Sequence, residues 1–168
     1  MSASATLRAA TGPAHAAIDA AYGRFDLTDR DGYAQFLLAH ARVVPPVERM
    51  LNDAPGLPAF GARTPALAAD LTALGMMMPD PLPVPVERDP AALWGIFYVV
   101  EGSRLGGVML ARDVAPGLPH AYLSAGHGRG GWREVRAAID AAARDEAWMA
   151  RAVAAAERCF GWYGRAAG

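Results

Sequence analysis

The stretch Asp89-Pro-Ala-Ala-Leu-Trp-Gly-Ile-Phe-Tyr98-Val-Val-Glu-Gly102-Ser-Arg-Leu-Gly106-Gly107 decides the fold. An aspartate followed by proline caps a helix and fills its first position, and no further proline interrupts the run before Asp113. The uncharged apolar segment Ala91 to Val100 is about half of what a bilayer crossing needs, and Glu101 and Arg104 follow it directly. A buried helix of a globular domain is therefore expected. Gly102, Gly106 and Gly107 each cost a helix up to about 1 kcal/mol relative to alanine, so a helix that keeps them gains something in return. Gly102 and Gly106 lie one turn apart and strip side chains from one stripe. That stripe suits either close helix packing or a flat body laid against the backbone, and the spacing leaves both open. Ser103 and Gly107 border it, which brings a hydroxyl within reach of a small ligand or water.

Outward from this helix the chain reads as all-α. Strands need period-2 runs of β-branched residues, which are almost missing, whereas alanine, leucine and arginine recur at helical spacing. A first helix is expected over about 4–22, and a second from the cap Thr28-Asp29, with Tyr33, Phe36, Leu37, Val44 and Val47 inward. Pro45-Pro46 should kink or split that helix. Thr64-Pro65 has the form of an N-cap and first-turn proline opening a helix to about Leu74. Met76 to Pro90 carries prolines at 79, 81, 83, 85 and 90 without period, and reads as an irregular connector. Two more helices are expected near Trp132 to Arg144 and Glu146 to Tyr163.

A chain of 168 residues with 53% hydrophobic and 20% charged content suits one domain, spanning 1–168, with one sizeable core. The net charge is −1 and the 16 basic residues, all arginine, are dispersed, which argues against a nucleic-acid partner. Neither a membrane span nor a charged-then-apolar leader is visible, so a cytoplasmic location is expected. Cys159, the single cysteine, excludes an internal disulfide and a CxxC redox pair.

Two patterns mislead. Gly126-His-Gly-Arg-Gly-Gly131 satisfies GxGxxG, but only Ala121 to Ser124 could be the strand before it and no βαβ unit follows, so it reads as a turn between helices. The four histidines form no HExxH or HxxxH pair, which disfavours a zinc site.

His15 has informative company. Arg8, Thr11, Ile18, Asp19 and Tyr22 stand at −7, −4, +3, +4 and +7 from it and share its helical face. An imidazole, a carboxylate one turn on that can orient it, and a cation two turns back for an anionic ligand edge make a coherent metal-ligand face.

Leu7-Arg-Ala-Ala-Thr11-Gly-Pro-Ala-His15-Ala-Ala-Ile-Asp19 resembles the proximal helix of haem oxygenases in its spacing of leucine, basic residue, threonine, histidine and acid. Glu101-Gly102-Ser103-x-Leu105-Gly106-Gly107 resembles the distal helix of the biliverdin-forming subgroup that accompanies bacteriophytochromes. Tyr122-Leu123 leading to Trp132, and Phe160-x-Trp162, fit the same subgroup. The resemblance implies a haem oxygenase-like multi-helical fold and oxygen-dependent cleavage of haem, which is substrate and cofactor at once, to biliverdin, CO and iron. It implies His15 as the iron ligand and Asp19 on its other ring nitrogen. Arg8 would sit at a propionate, with Thr11, Tyr98 and Phe160 at the haem. Gly102, Gly106 and Gly107 would form the distal wall, with Ser103 beside it. Arg158 or Arg165 is expected to add a second propionate contact, since the chain has no lysine. O2, an external electron donor or redox protein, and a phytochrome receiving biliverdin are the implied partners.

Two features depart from the pattern. Many haem oxygenases carry aspartate where Ser103 stands, although the phytochrome-associated subgroup shares the serine. Gly12-Pro13 lies just before His15, where proline should kink the helix or restart it. A non-enzymatic haem carrier or sensor on the same fold is the alternative expectation.

Overall fold

The structure, a computed structural model, describes residues 1–168 and contains eight helices and no strand. They are α1 (Ala3–Tyr22), α2 (Arg30–Ala41), α3 (Val44–Asn52), α4 (Thr64–Ala73), α5 (Pro90–Leu110), α6 (Ala121–Ser124), α7 (Gly131–Ala142) and α8 (Glu146–Ala167). Several begin where side-chain acceptors meet their first free amides. Ser2 accepts from Ala5 N, Asp29 from Gly32 N, Asp89 from Ala91 N and Asp145 from Trp148 N. Pro45-Pro46 splits the second helical segment, and the prolines sit in the first turn of α3, where missing donors cost nothing. Residues 76–89 form the connector, held to the end of α2 by Leu82 N–H donating to Arg42 O at 2.8 Å. No helix is long and apolar enough to cross a membrane.

Three local readings change. Thr64 is not the cap of α4 but its first residue; a carboxylate from α3 does the capping instead. Glu48 accepts from Arg63 N at 2.7 Å and from Thr64 N and Oγ1 at 2.9 and 2.6 Å. Ala121–Ser124 is one helical turn, its amides held by Asp70, so no strand precedes the glycine-rich turn. Of the kink or restart expected at Pro13, the restart does not occur: α1 runs unbroken from Ala3 to Tyr22. Pro13 is exposed, and buried or half-buried residues seat α1 on both sides of it, Leu7 and Thr11 before and Ile18 and Tyr22 after.

The centre of the domain is the long contact between α5 and α8. Ala152, Ala155, Ala156 and Cys159 are fully buried along α8, and Gly95 of α5 sits so close that a Cβ there would collide with the Ala152 carbonyl. That contact needs glycine. α1 also lies along α8, anchored at its end by Tyr22 Oη donating to Tyr163 O at 3.0 Å. α7 spans α1 and α5, while α2, α4 and α6 close the opposite side. Because α1 and α5 both lean on α8 but make little direct contact, a gap remains between them.

Candidate functional site

The two helices meet at one end of this gap, where the Tyr98 phenol reaches Thr11. Burial raises the Tyr98 pKa, although the Thr11 hydroxyl and the charges of Arg8 and Arg136 pull it down. From there α1 and α5 run the same way, and at the far end Asp19 and Tyr22 from α1, Leu110 at the end of α5, Asp113 just after it, and Phe25 and Phe36 line an open cavity of about 610 Å³. One turn beyond the Thr11–Tyr98 contact are His15 on α1 and Gly102 on α5; two turns beyond it are Asp19 and Gly106.

His15 stands on the flank of α1 with 63% of its side chain exposed, and its Nδ1 lies 3.3 Å from Asp19 Oδ2. That carboxylate favours the proton on Nδ1, which leaves the Nε2 lone pair free for a ligand. The ring stands edge-on to Phe160 of α8, centroids 5.8 Å apart at 79°, so packing as well as hydrogen bonding fixes its orientation. Thr11 is buried and its hydroxyl donates to Leu7 O at 2.8 Å.

The glycines of α5 divide into two uses. A Cβ on Gly107 would come within 3.1 Å of Leu123 O, so this residue lets α6 approach. A Cβ on Gly102 would touch the edge of the Trp132 ring at 3.4 Å. Gly106 alone faces open space. Packing and an open wall, the two readings that spacing left undecided, hold for different members of the stripe. Beside Gly106, Leu105, Met109 and Leu110 remain exposed at 46%, 66% and 37%. Such a strip of exposed apolar side chains on one helix is a candidate surface for a ligand or a partner.

Ser103 Oγ donates to Val100 O at 2.7 Å and accepts from Arg63 Nη2 at 2.6 Å. Arg8 is exposed near Tyr98, and Arg136 from α7 shares that place. Of the late arginines, Arg158 pairs with Glu87 of the connector at 3.1 Å, and Arg165 is exposed near the end of α8. Sequence reasoning missed Arg136, Arg63 and the exposed apolar strip, and named Trp132 only within the family resemblance and as the start of a helix. Only the strip carried a local signal, since Leu105 and Met109 lie one turn apart beside Gly106. It also missed the ionic seam behind α5. Arg104 is buried against Glu101 at 2.8 Å and donates to Gly61 O and Ala125 O, and His127 Nε2 lies 3.8 Å from Glu101.

These residues fit a haem. An imidazole whose Nδ1 is engaged by Asp19 stands on α1, Gly106 of α5 presents bare backbone, exposed apolar side chains run along α5, and the cations Arg8 and Arg136 stand near Tyr98.

No family model matches the sequence. The chain is 36% identical over 144 residues to a haem oxygenase of Xanthomonas campestris pv. campestris, covering 79% of this chain and 86% of that protein. Its fold matches the NO- and CO-bound haem oxygenase of Neisseria meningitidis with a TM-score of 0.85 at 21% identity, over 99% of this chain and 90% of that one. With the relative's sequence aligned over most of both proteins, the chain belongs to the haem oxygenase family.

Proposed function

We propose that the gap between α1 and α5 binds haem as substrate and opens it to biliverdin, CO and iron, using O2 and electrons from an external donor. The observations that carry this reading are a His15 on α1 whose Nδ1 is engaged by Asp19 and, on α5, a Gly106 that presents bare backbone to open space. When bound, the haem supplies the iron at which O2 is activated. His15 Nε2 would ligate that iron, with Asp19 and Phe160 keeping the imidazole at one angle. Gly106 would leave room for a diatomic molecule on the α5 side while offering no side chain as a competing ligand. Leu105, Met109 and Leu110 keep water off the ring. Ser103 holds a proton at its Oγ on the same wall. Arg8 and Arg136 bind the propionates, Arg136 in place of the late arginines.

The motif Glu101-Gly102-Ser103 supports assignment to the subgroup that supplies biliverdin to bacterial phytochromes. A redox protein is the electron donor and a phytochrome the recipient. One spectroscopic experiment tests the reading: haem is added to the protein, then ascorbate in air. Loss of the Soret band, growth of biliverdin absorption and release of CO are expected. Stoichiometric haem binding with an unchanged Soret band under reductant would select a carrier or sensor instead.

A further inference from the structure

Arg63 is a buried cation whose guanidinium forms no ion pair with a carboxylate. Its residue is 3% exposed, and no acidic oxygen lies within 4 Å of the guanidinium. Glu48, whose carboxylate accepts from the Arg63 amide, spends both oxygens on the amides of Arg63 and Thr64 and on the Thr64 hydroxyl. The Nε of Arg63 has no hydrogen-bond partner at all. Its Cζ lies over the Tyr122 ring at 5.1 Å, and Nη2 donates to two groups on α5, Val100 O at 3.2 Å and Ser103 Oγ at 2.6 Å. Arginine does not lose its proton in proteins, so this charge is permanent. An unmatched charge buried at such cost calls for an explanation beyond packing.

We infer that Arg63 is a positioning residue that fixes and polarises the Ser103 hydroxyl, making it a hydrogen-bond donor toward anionic ligands on the α5 side of the haem. The inference rests on haem binding as proposed above. Ser103 stands one turn from Gly106, at the exposed boundary between the gap and the interior. In the haem-free protein its proton goes to Val100 O. Because Arg63 Nη2 also donates to Val100 O, the proton can swing toward the gap without stranding that carbonyl. The guanidinium drains electron density from Oγ, so the released O–H is a stronger donor than an isolated serine. No group changes protonation in this step; a hydrogen bond is exchanged for another.

Fluoride and CO binding to the haem-loaded protein separate the roles, ferric for fluoride and ferrous for CO. Fluoride is anionic and needs a donor, whereas CO is neutral. Arg63→Gln and Ser103→Ala should each weaken fluoride binding about tenfold, the double variant should be no weaker than the poorer single one, and Arg63→Lys should recover part of the loss. Haem affinity and CO affinity should stay within about threefold of the parent. A normal fluoride constant in Arg63→Gln, additive losses in the double variant, or a loss that merely follows haem affinity would overturn the inference. A second arm needs no haem. Ser103→Asp places a carboxylate beside the unmatched guanidinium and should raise the melting temperature of the haem-free protein by a few degrees, while Ser103→Asn should not. No rise in Ser103→Asp would also overturn it. Failure of the parent to bind haem would instead remove the proposed function and leave this arm readable.

Discussion

The two walls of the gap are held in opposite ways. Of the 20 residues of α1 only Ser4, Leu7, Thr11 and Tyr22 are buried, whereas 11 of the 21 residues of α5 are, including the ion pair of Glu101 and Arg104. The ligand face of α1 is a flank left over from light packing. The α5 wall is a single bare position in a helix otherwise fixed by α8, α6 and a buried ionic seam. Chemistry on α1 can therefore be removed without harming the fold, while on α5 neighbouring glycines have opposite consequences.

The sharpest test of the α1 half is His15→Ala. The side chain touches only Asp19 and Phe160 and is mostly exposed, so stability of the haem-free protein should stay within about 0.5 kcal/mol of the parent. Ring opening should cease, because no other side chain offers a nitrogen at that place. A variant that keeps the parent Soret position and biliverdin rate would remove His15 as the ligand.

The α5 half breaks first at Gly95. A methyl group there meets the Ala152 backbone rather than a flexible side chain, so α5 and α8 must separate. Gly95→Ala should cost on the order of 3 kcal/mol in urea unfolding, despite alanine's better helix propensity. A loss below about 1 kcal/mol would mean that the helices slide apart easily.

Acid should act on the one firmly anchored end of α1. Tyr22 stacks at a tilt on His40, centroids 4.6 Å apart, and donates to Tyr163 O. Burial lowers the His40 pKa from 6.5 to about 4, opposed by its hydrogen bond to Phe36 O. Between those values the unfolded chain binds more protons than the folded one, so stability is full above pH 6.5 and falls as pH drops toward 4. The loss across that window should be on the order of 3 kcal/mol. His40→Gln should flatten the melting curve against pH there; an unchanged slope would assign acid sensitivity to other groups.

Gly106→Leu sharpens the contrast with Gly95. Leucine gains up to about 1 kcal/mol of helix propensity and its Cβ meets nothing within 4 Å, so the melting temperature of the haem-free protein should equal or exceed the parent's. With haem present the isobutyl group occupies the space above the ring, and CO affinity and turnover should fall about ten- to a hundredfold. A marked drop in haem-free stability would return Gly106 to the packing class.

Most helices were legible because caps and prolines are local: Asp29, Pro45-Pro46 and Asp89-Pro90 mark starts that the structure keeps. The errors arose where a partner distant in sequence intervened. Glu48 displaced Thr64 as the cap of α4, and packing against α8 carried α1 through Pro13. Within the site, the His15–Asp19 pair is a one-turn relation and could be read directly. The glycine stripe could not, because what Gly102, Gly106 and Gly107 face depends on Trp132 and Leu123. Arg63 and Arg136 gave no signal, since an arginine beside a proline-headed helix or on a surface helix is ordinary.

The mildest effect belongs to the end where the two walls touch. Arg8 on α1 and Arg136 on α7 both bear on the Tyr98 phenol from positions open to solvent. Two exposed guanidinium groups can each grip a carboxylate, but solvent screening keeps each contribution modest. Arg8→Glu should weaken haem binding about tenfold or less and shift the proportions of biliverdin isomers, because the propionate edge sets the rotation of the ring in the gap. Arg136→Glu should act in the same direction. Arg158→Glu should leave haem affinity unchanged, since that side chain is occupied by Glu87 on the connector. Equal losses from Arg158 and Arg8 would place the propionates toward the connector side of α8, and the polarity of the haem in the gap would then be reversed.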